Sequence, residues 1–289
     1  MKVIDFKKYA AWRIKKGCIV SMQIGISSAC FYPMETLDSL KLLGEHGVKM
    51  SEIFMNSFSE LKKEYVNELF AVKDYYGMQI PSIHPFTSEF EPFMFFTDYK
   101  SRVDDALDFY KQYFEAGERL GAKFLVFHGD KKGSKTSIET YAERYSRLYE
   151  LGKSYSITVC QEDVPRCRCS NIEFILELKR LLGDNLAFVA DFKQAIRSGM
   201  DVEEMIKAMG KNLCYVHASD SSKDCDCLAP SKGNADFEKL IGMLIKYTNV
   251  QDMMIELYSK NFSGIDEVVD SLGFLKEKAA IAESRAQIL

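Results

Sequence analysis

Eight short apolar runs recur along the chain: QIGIS around Ile24, EIF at Glu52, IPSI before His84, KFLVF before His128, SITVC before Gln161, LAFVA before Asp191, LCYV before His217 and MMI before Glu256. Most lack polar alternation, which suits strands buried on both faces, as in a parallel sheet, better than half-exposed antiparallel ones. The segments between them carry helical spacing, as in Leu61, Tyr65, Leu69 and Tyr76, or Ile138, Tyr141, Tyr145 and Leu148. Helix punctuation agrees: Pro33 can open the first helix, Ser170 with Glu173 and Asp201 with Glu204 fit capping boxes, and Gly77, Gly121, Gly183 and Gly210 can close helices.

Strand and helix alternating eight times, about 30 residues per unit, predict an α/β fold closed as a (β/α)8 TIM barrel; an open doubly wound sheet is the rival. No strand is followed by G-x-G-x-x-G or G-x-x-x-x-G-K-[ST], so the usual nucleotide-binding reason for an open sheet is missing. Residues 22–289 are expected to form the barrel. Residues 1–21, Lys-rich and helical in pattern, form a short N-terminal extension that could close its bottom, unless Met22 is the true start. Two long loops, residues 84–100 and 218–236, fall on the face that carries catalysis in such barrels.

Composition narrows the partners. Of 289 residues, 47% are hydrophobic and 28% charged, enough for a large core in an ordinary globular protein. A net charge of -4 gives no basic surplus for nucleic acid, and no apolar run approaches the ~18 residues of a membrane span. With no secretion signal at the start, a cytoplasmic protein is expected, and its eight cysteines read as thiols or metal ligands rather than disulfides.

The candidate chemistry lies at the strand ends. His84, His128, Glu162, Asp191, His217 and Glu256 terminate six strands in order. If Glu162, Asp191 and Glu256 converge, each pair about 4 Å apart repels by about 4 kcal/mol at an effective dielectric of 20. A divalent ion removes that cost, and three carboxylates with the His217 imidazole make a hard, oxygen-rich shell suited to one manganese or magnesium ion, with cobalt or zinc as alternatives. The competing arrangement is ion pairing with Lys or Arg, or proton sharing. His46, in a helix-ending EHG, reads as structural.

These motifs resemble the sugar phosphate isomerase/epimerase superfamily, the xylose isomerase-like barrels that include ketose 3-epimerases, inosose dehydratases and endonuclease IV. The resemblance runs from residue 22 to about 285, through GIS, SEIF, SIHPF, LVFHGD, CQED, VADF, YVHASD, PSKGNADF and IEL. It implies that Glu162, Asp191, His217 and Glu256 hold the metal, and that Glu162 and Glu256 transfer protons through a metal-bound enediolate. The substrate would be a small polyhydroxylated carbonyl compound: a sugar, sugar phosphate or polyol-type molecule of carbohydrate metabolism. His84, His128, Gln194 and Lys223 would contact it. Many relatives have a histidine where this chain has Gln194. Endonuclease IV draws on five histidines and this chain has four, which weakens the alternative of a metal-dependent AP endonuclease; a sugar-binding barrel without turnover is the other alternative.

Two features stand outside the resemblance. Cys167 with Cys169, and Cys225 with Cys227, form C-x-C pairs in the loops after the fifth and seventh strands, as free thiols, a redox pair or a four-thiolate zinc site. The loop after His84 concentrates Phe86, Phe90, Phe93, Phe95, Phe96 and Tyr99, as a lid over a sugar or as a cap or subunit interface in a homo-oligomer.

Overall fold

The computed structural model describes residues 21–288; the N-terminal extension, with its expected helix, lies outside these residues except for Ser21. The eight apolar runs form eight parallel strands: β1 (Gln23–Ser27), β2 (Ser51–Met55), β3 (Ser82–Pro85), β4 (Phe124–Phe127), β5 (Thr158–Glu162), β6 (Ala187–Asp191), β7 (Leu213–Ala218) and β8 (Asp252–Ile255). Each pairs with the next, and β8 pairs back onto β1, Gln23 to Asp252 through Ile26 to Ile255, closing the barrel. The open sheet is thereby excluded.

Ten α-helices lie in the described segments: α1 (Thr36–Glu45), α2 (Lys63–Tyr76), α3 (Glu91–Phe95), α4 (Lys100–Leu120), α5 (Ile138–Ser154), α6 (Ile172–Leu182), α7 (Phe192–Arg197), α8 (Val202–Met209), α9 (Phe237–Tyr247) and α10 (Ile265–Ile288). Their apolar stripes bury against the outside of the strands; α5, for example, buries Tyr141, Tyr145 and Leu148. None is long and apolar enough to cross a membrane.

Most punctuation is as expected. Gly77, Gly121, Gly183 and Gly210 end their helices at positive φ, and the Asp201 carboxylate accepts from the backbone N–H groups of Glu203 and Glu204. Two expectations fail. Pro33 does not open α1, because Met34 N–H is still committed to Phe31 C=O at 2.8 Å in the preceding turn and the helix starts after Glu35. Ser170 does not cap α6, because its hydroxyl donates to Cys167 C=O at 2.6 Å; Asn171 caps instead, accepting from Phe174 N–H at 2.8 Å.

The barrel interior explains where the polar residues point. Met50, Val126, Cys160, Val189, Tyr215 and Met254 belong to one buried cluster, separate from the larger one that packs strands against helices. Strand side chains alternate with a period of two. Moving two residues toward the C-terminal end from these six positions gives Glu52, His128, Glu162, Asp191, His217 and Glu256. All six therefore face the barrel axis, stacked one layer above an apolar floor. Gly25 is required at this level: a Cβ there would lie 2.3 Å from Met50 C=O and 2.7 Å from Met254 Sδ.

Both long loops lie above the C-terminal ends of the strands. The first contains α3 and divides its aromatics: Phe95 and Phe96 are buried, whereas Phe90, Phe93 and Tyr99 are exposed. Glu91, itself buried, ties it to the barrel by accepting from His128 N–H at 2.8 Å, Gly129 N–H at 2.6 Å and Tyr110 OH at 2.8 Å. The second loop is organised by Asp220, which accepts from the backbone N–H groups of Ser221, Ser231, Gly233 and Ala235. Gly233 approaches too closely for a side chain, since a Cβ would lie 2.4 Å from Asp220 Oδ1.

Candidate metal centre

Glu162, Asp191, His217 and Glu256 converge from β5, β6, β7 and the end of β8, each offering one ligand atom, all within 4.8 Å of one another. His217 Nδ1 lies at the middle, 3.1 Å from Glu162 Oε1, 2.8 Å from Glu256 Oε2 and 3.8 Å from Asp191 Oδ2. Its Nε2 faces Glu52 Oε2 at 3.1 Å. Glu52 is fully buried, and Ser27, Ser82 and Tyr215 donate to its carboxylate at 3.0, 2.8 and 3.1 Å. The ring of His217 is thus held by one face of the barrel while Nδ1 is presented to the three strand-end carboxylates.

Asp191 and Glu162 each divide their two oxygens between tasks. Asp191 Oδ1 caps α7, accepting from Lys193 N–H at 2.9 Å and Gln194 N–H at 3.2 Å, which leaves Oδ2 for the cluster. Glu162 Oε1 faces His217 and its Oε2 faces His128 Nε2 at 2.5 Å and His84 Nε2 at 3.9 Å. Glu162 therefore joins the quartet to a second group of potential ligands, His84 and His128. The His84 ring stacks on Phe54, with centroids 4.5 Å apart.

The charges are strongly interdependent. Burial alone would raise the Glu162 carboxyl, but His128 and His217 beside it hold it well below its ordinary range. Glu256 is likewise lowered against burial by Lys193 and His217. Burial opposes protonation of His217, yet Glu52 and Glu256 raise its affinity for a proton well above that of a free imidazole. Burial followed by His128 lowers His84. Asp163, buried beside Asp191, is raised well above the carboxylate range by desolvation and by that neighbouring charge.

One participant, Lys193, is absent from the expectations. It is about 1% exposed, and its ammonium group pairs with Asp191 Oδ2 and lies 3.2 Å from Glu256 Oε2. The two arrangements weighed for the acidic residues are therefore both present: they converge, and two of them are paired with a lysine. The residues nonetheless suit a divalent ion. They supply one imidazole and three carboxylate atoms from rigid strand ends, and the buried Glu256 Oε2 has no hydrogen-bond partner, only ion-pair neighbours. An ion there would share or displace Lys193 at two oxygens.

Other expected contacts are less central. Gln194 is half-buried in the first turn of α7, its backbone N–H on Asp191. Lys223 is exposed on the loop after β7 and makes no side-chain hydrogen bond or ion pair among the described residues. His46 is exposed and its Nδ1 lies 2.8 Å from Leu42 C=O at the end of α1, a structural role. No candidate ligand group among the described residues contains a cysteine. Cys167, Cys169, Cys225 and Cys227 are free thiols and are not brought together into the four-thiolate group considered from the sequence.

Glu52 and Lys193 were missed for different reasons. Glu52 begins rather than ends its apolar run, although its two-residue offset from Met50 marks it as inward-facing. Lys193 follows Asp191 in a helix turn, where no strand periodicity applies.

The chain is similar to several known proteins. It is 25% identical over 287 residues to an uncharacterised protein of Methanocaldococcus jannaschii, with 94% of each chain covered. A D-tagatose 3-epimerase-like protein superposes with a TM-score of 0.73 at 20% identity, covering 92% of this chain and all of the other. An L-ribulose 3-epimerase gives 0.71 at 15% identity, covering 92% and 97%. The IolI protein, whose structure carries a bound zinc atom, gives 0.66 at 19% identity, covering 91% and 99%. At these identities the structures establish the fold alone. A family model described as xylose isomerase-like TIM barrel matches residues 40–278, and the chain accordingly belongs to that family.

Proposed function

We propose that the protein is a divalent-metal-dependent isomerase or epimerase acting on a small polyhydroxylated carbonyl compound. The observation that carries this reading is the convergence of Glu162, Asp191, His217 and Glu256 within 4.8 Å at the strand ends. A bound manganese or magnesium ion would polarise adjacent carbonyl and hydroxyl oxygens of a ligand and so acidify the C–H between them.

Glu162 and Glu256 then act as the proton-transfer pair. Both are held below the ordinary carboxylate range, so each is ionised near neutral pH and able to accept a proton. They come from β5 and β8, which are not neighbours in the barrel, and so approach a central ligand from different directions. One removes the proton from carbon, and the other returns one after the negative charge has moved onto oxygen. His128, raised in proton affinity by Glu162 against its own burial, and His84, lowered by burial, would contact ligand oxygens. The similarity of fold to a tagatose 3-epimerase-like protein and a ribulose 3-epimerase supports the reaction class.

Elemental analysis and solvent-deuterium exchange test the reading together. About one divalent ion per chain is expected, together with deuterium incorporation into a ketose pool that is lost in Glu256→Gln while the variant remains folded. A protein that cannot be loaded with manganese, magnesium, cobalt or zinc would contradict it.

A further inference from the structure

Two side-chain contacts from Glu162, through His128 to Arg166, lies a cleft of about 760 Å3 that the proton-transfer reading does not use. It is bounded by the 84–100 loop, residues 130–137 after β4, the first turn of α5 and Arg166 with Cys167 after β5. Its volume lies in the range of small-molecule sites, but its lining is polar and cationic. Lys100, Arg102, Lys131, Lys135, Arg144 and Arg166 contribute six basic groups, against the acidic Glu89, Asp98 and Asp130. In a chain of net charge -4 this is a local reversal of sign.

Half of this charge is engaged inside the protein, since Arg102 lies over the Phe93 ring and Arg144 and Arg166 pair with Glu143 and Glu89; the three lysines are not. No side-chain hydrogen bond or ion pair engages Lys100, Lys131 or Lys135 among the described residues. The 17-residue helix α5 begins at the cleft and adds the positive end of its dipole; its cap Ser137 accepts from Thr140 N–H and donates to the Thr140 hydroxyl. Arg166 lines the cleft and places Nη2 3.3 Å from His128 Nδ1, while His128 Nε2 is 2.5 Å from Glu162. Two contacts thus connect the cleft to the proposed proton-transfer residue.

We infer that this cleft binds the anionic group of the substrate, a phosphate ester or a carboxylate, while the carbonyl end of the same molecule reaches Glu162 and Glu256. The inference rests on the isomerase reading for the identity of the second end and narrows its substrate class to an acidic sugar derivative. Lys131, Lys135 and the first turn of α5 provide the anion contacts. Arg166, anchored by Glu89 at 2.9 Å and Ser88 at 3.2 Å, spans the two regions.

Calorimetric binding to the manganese-treated full chain provides the test, using a ketose, the same ketose carrying a terminal phosphate, the corresponding sugar acid and inorganic phosphate. At least one anionic derivative is expected to bind about tenfold or more tighter than the neutral ketose, the scale of one charge-assisted hydrogen bond. A Lys131→Ala/Lys135→Ala variant should lose most of that preference while binding the neutral ketose as before. Preference for the phosphate or for the acid identifies which anion the cleft takes. Equal binding of neutral and anionic ligands, or a preference that survives the double substitution, overturns the inference, as does tighter binding of an abasic DNA duplex than of either anionic sugar. Deuterium exchange separates the two proposals: exchange without anion preference removes the cleft and leaves the isomerase, whereas anion preference without exchange removes the isomerase and leaves the cleft.

Discussion

Lys193 determines how the quartet behaves at the scale of single residues. Its ammonium neutralises part of a buried cluster of three carboxylates, and an incoming cation must compete with it for Asp191 Oδ2 and Glu256 Oε2. Removing one partner of a buried ion pair typically costs about 3–5 kcal/mol, because the remaining charge is left uncompensated. Lys193→Met is therefore expected to lower the melting temperature of chelator-treated protein, and manganese should restore most of the loss by taking over the same oxygens. Thermal denaturation with and without the ion measures both effects. An equal loss in the two conditions would show that Lys193 serves packing rather than charge. Glu162, Asp191, His217 and Glu256 were legible because each is the polar residue that ends an apolar run. Lys193 was not, because its direction depends on the turn that Asp191 caps.

At the scale of elements, the two long loops above the barrel are each held by a single buried carboxylate. Asp220 satisfies four backbone N–H groups of the β7–α9 loop, and Glu91 satisfies two at the end of β4. Buried donors left without a partner cost about 1–3 kcal/mol each. The four donors on Asp220 are only partly buried and regain water in the variant, so Asp220→Ala is expected to destabilise the protein by about 2–4 kcal/mol, less than four fully buried losses would sum to, with the largest rise in amide hydrogen exchange confined to residues 219–235. Urea denaturation and exchange mapping distinguish this from global loosening, in which protection would fall evenly around the barrel. Strand positions were readable from apolar runs, and most helix ends from glycine and capping residues. Ser170 and Pro33 misled because adjacent turns had already engaged them or their neighbours, which residue type alone does not reveal.

The protonation of the whole site links metal binding to pH. In metal-free protein the raised proton affinity of His128 and His217 contributes stability that is complete below about pH 6.5 and lost as pH rises through their folded values. The lowered Glu162 and Glu256 contribute stability present above about pH 4.3 and lost as pH falls. A cation competes with the proton on His217 Nδ1, so its affinity should run the other way and increase with pH. The rise in melting temperature on adding manganese is expected to be larger near pH 8 than near pH 6, with proton release detectable by calorimetry in two buffers of different ionisation enthalpy. A pH-independent rise would mean that His217 is not displaced from its proton.

The sequence by itself determined the eight strand–helix units and five of the six inward-facing polar residues, His128, Glu162, Asp191, His217 and Glu256. These follow from short-range patterns: apolar runs with helices between them, each run ending near a polar residue. Closure was decided by the pairing of β8 with β1. Only the tertiary structure decided which charges neighbour which. Glu52 against His217, Lys193 between Asp191 and Glu256, and the cationic cleft that Arg166 lines each bring together residues from separate strands or loops. Electrostatic energy depends on distance through space, and no local pattern in the chain encodes that distance.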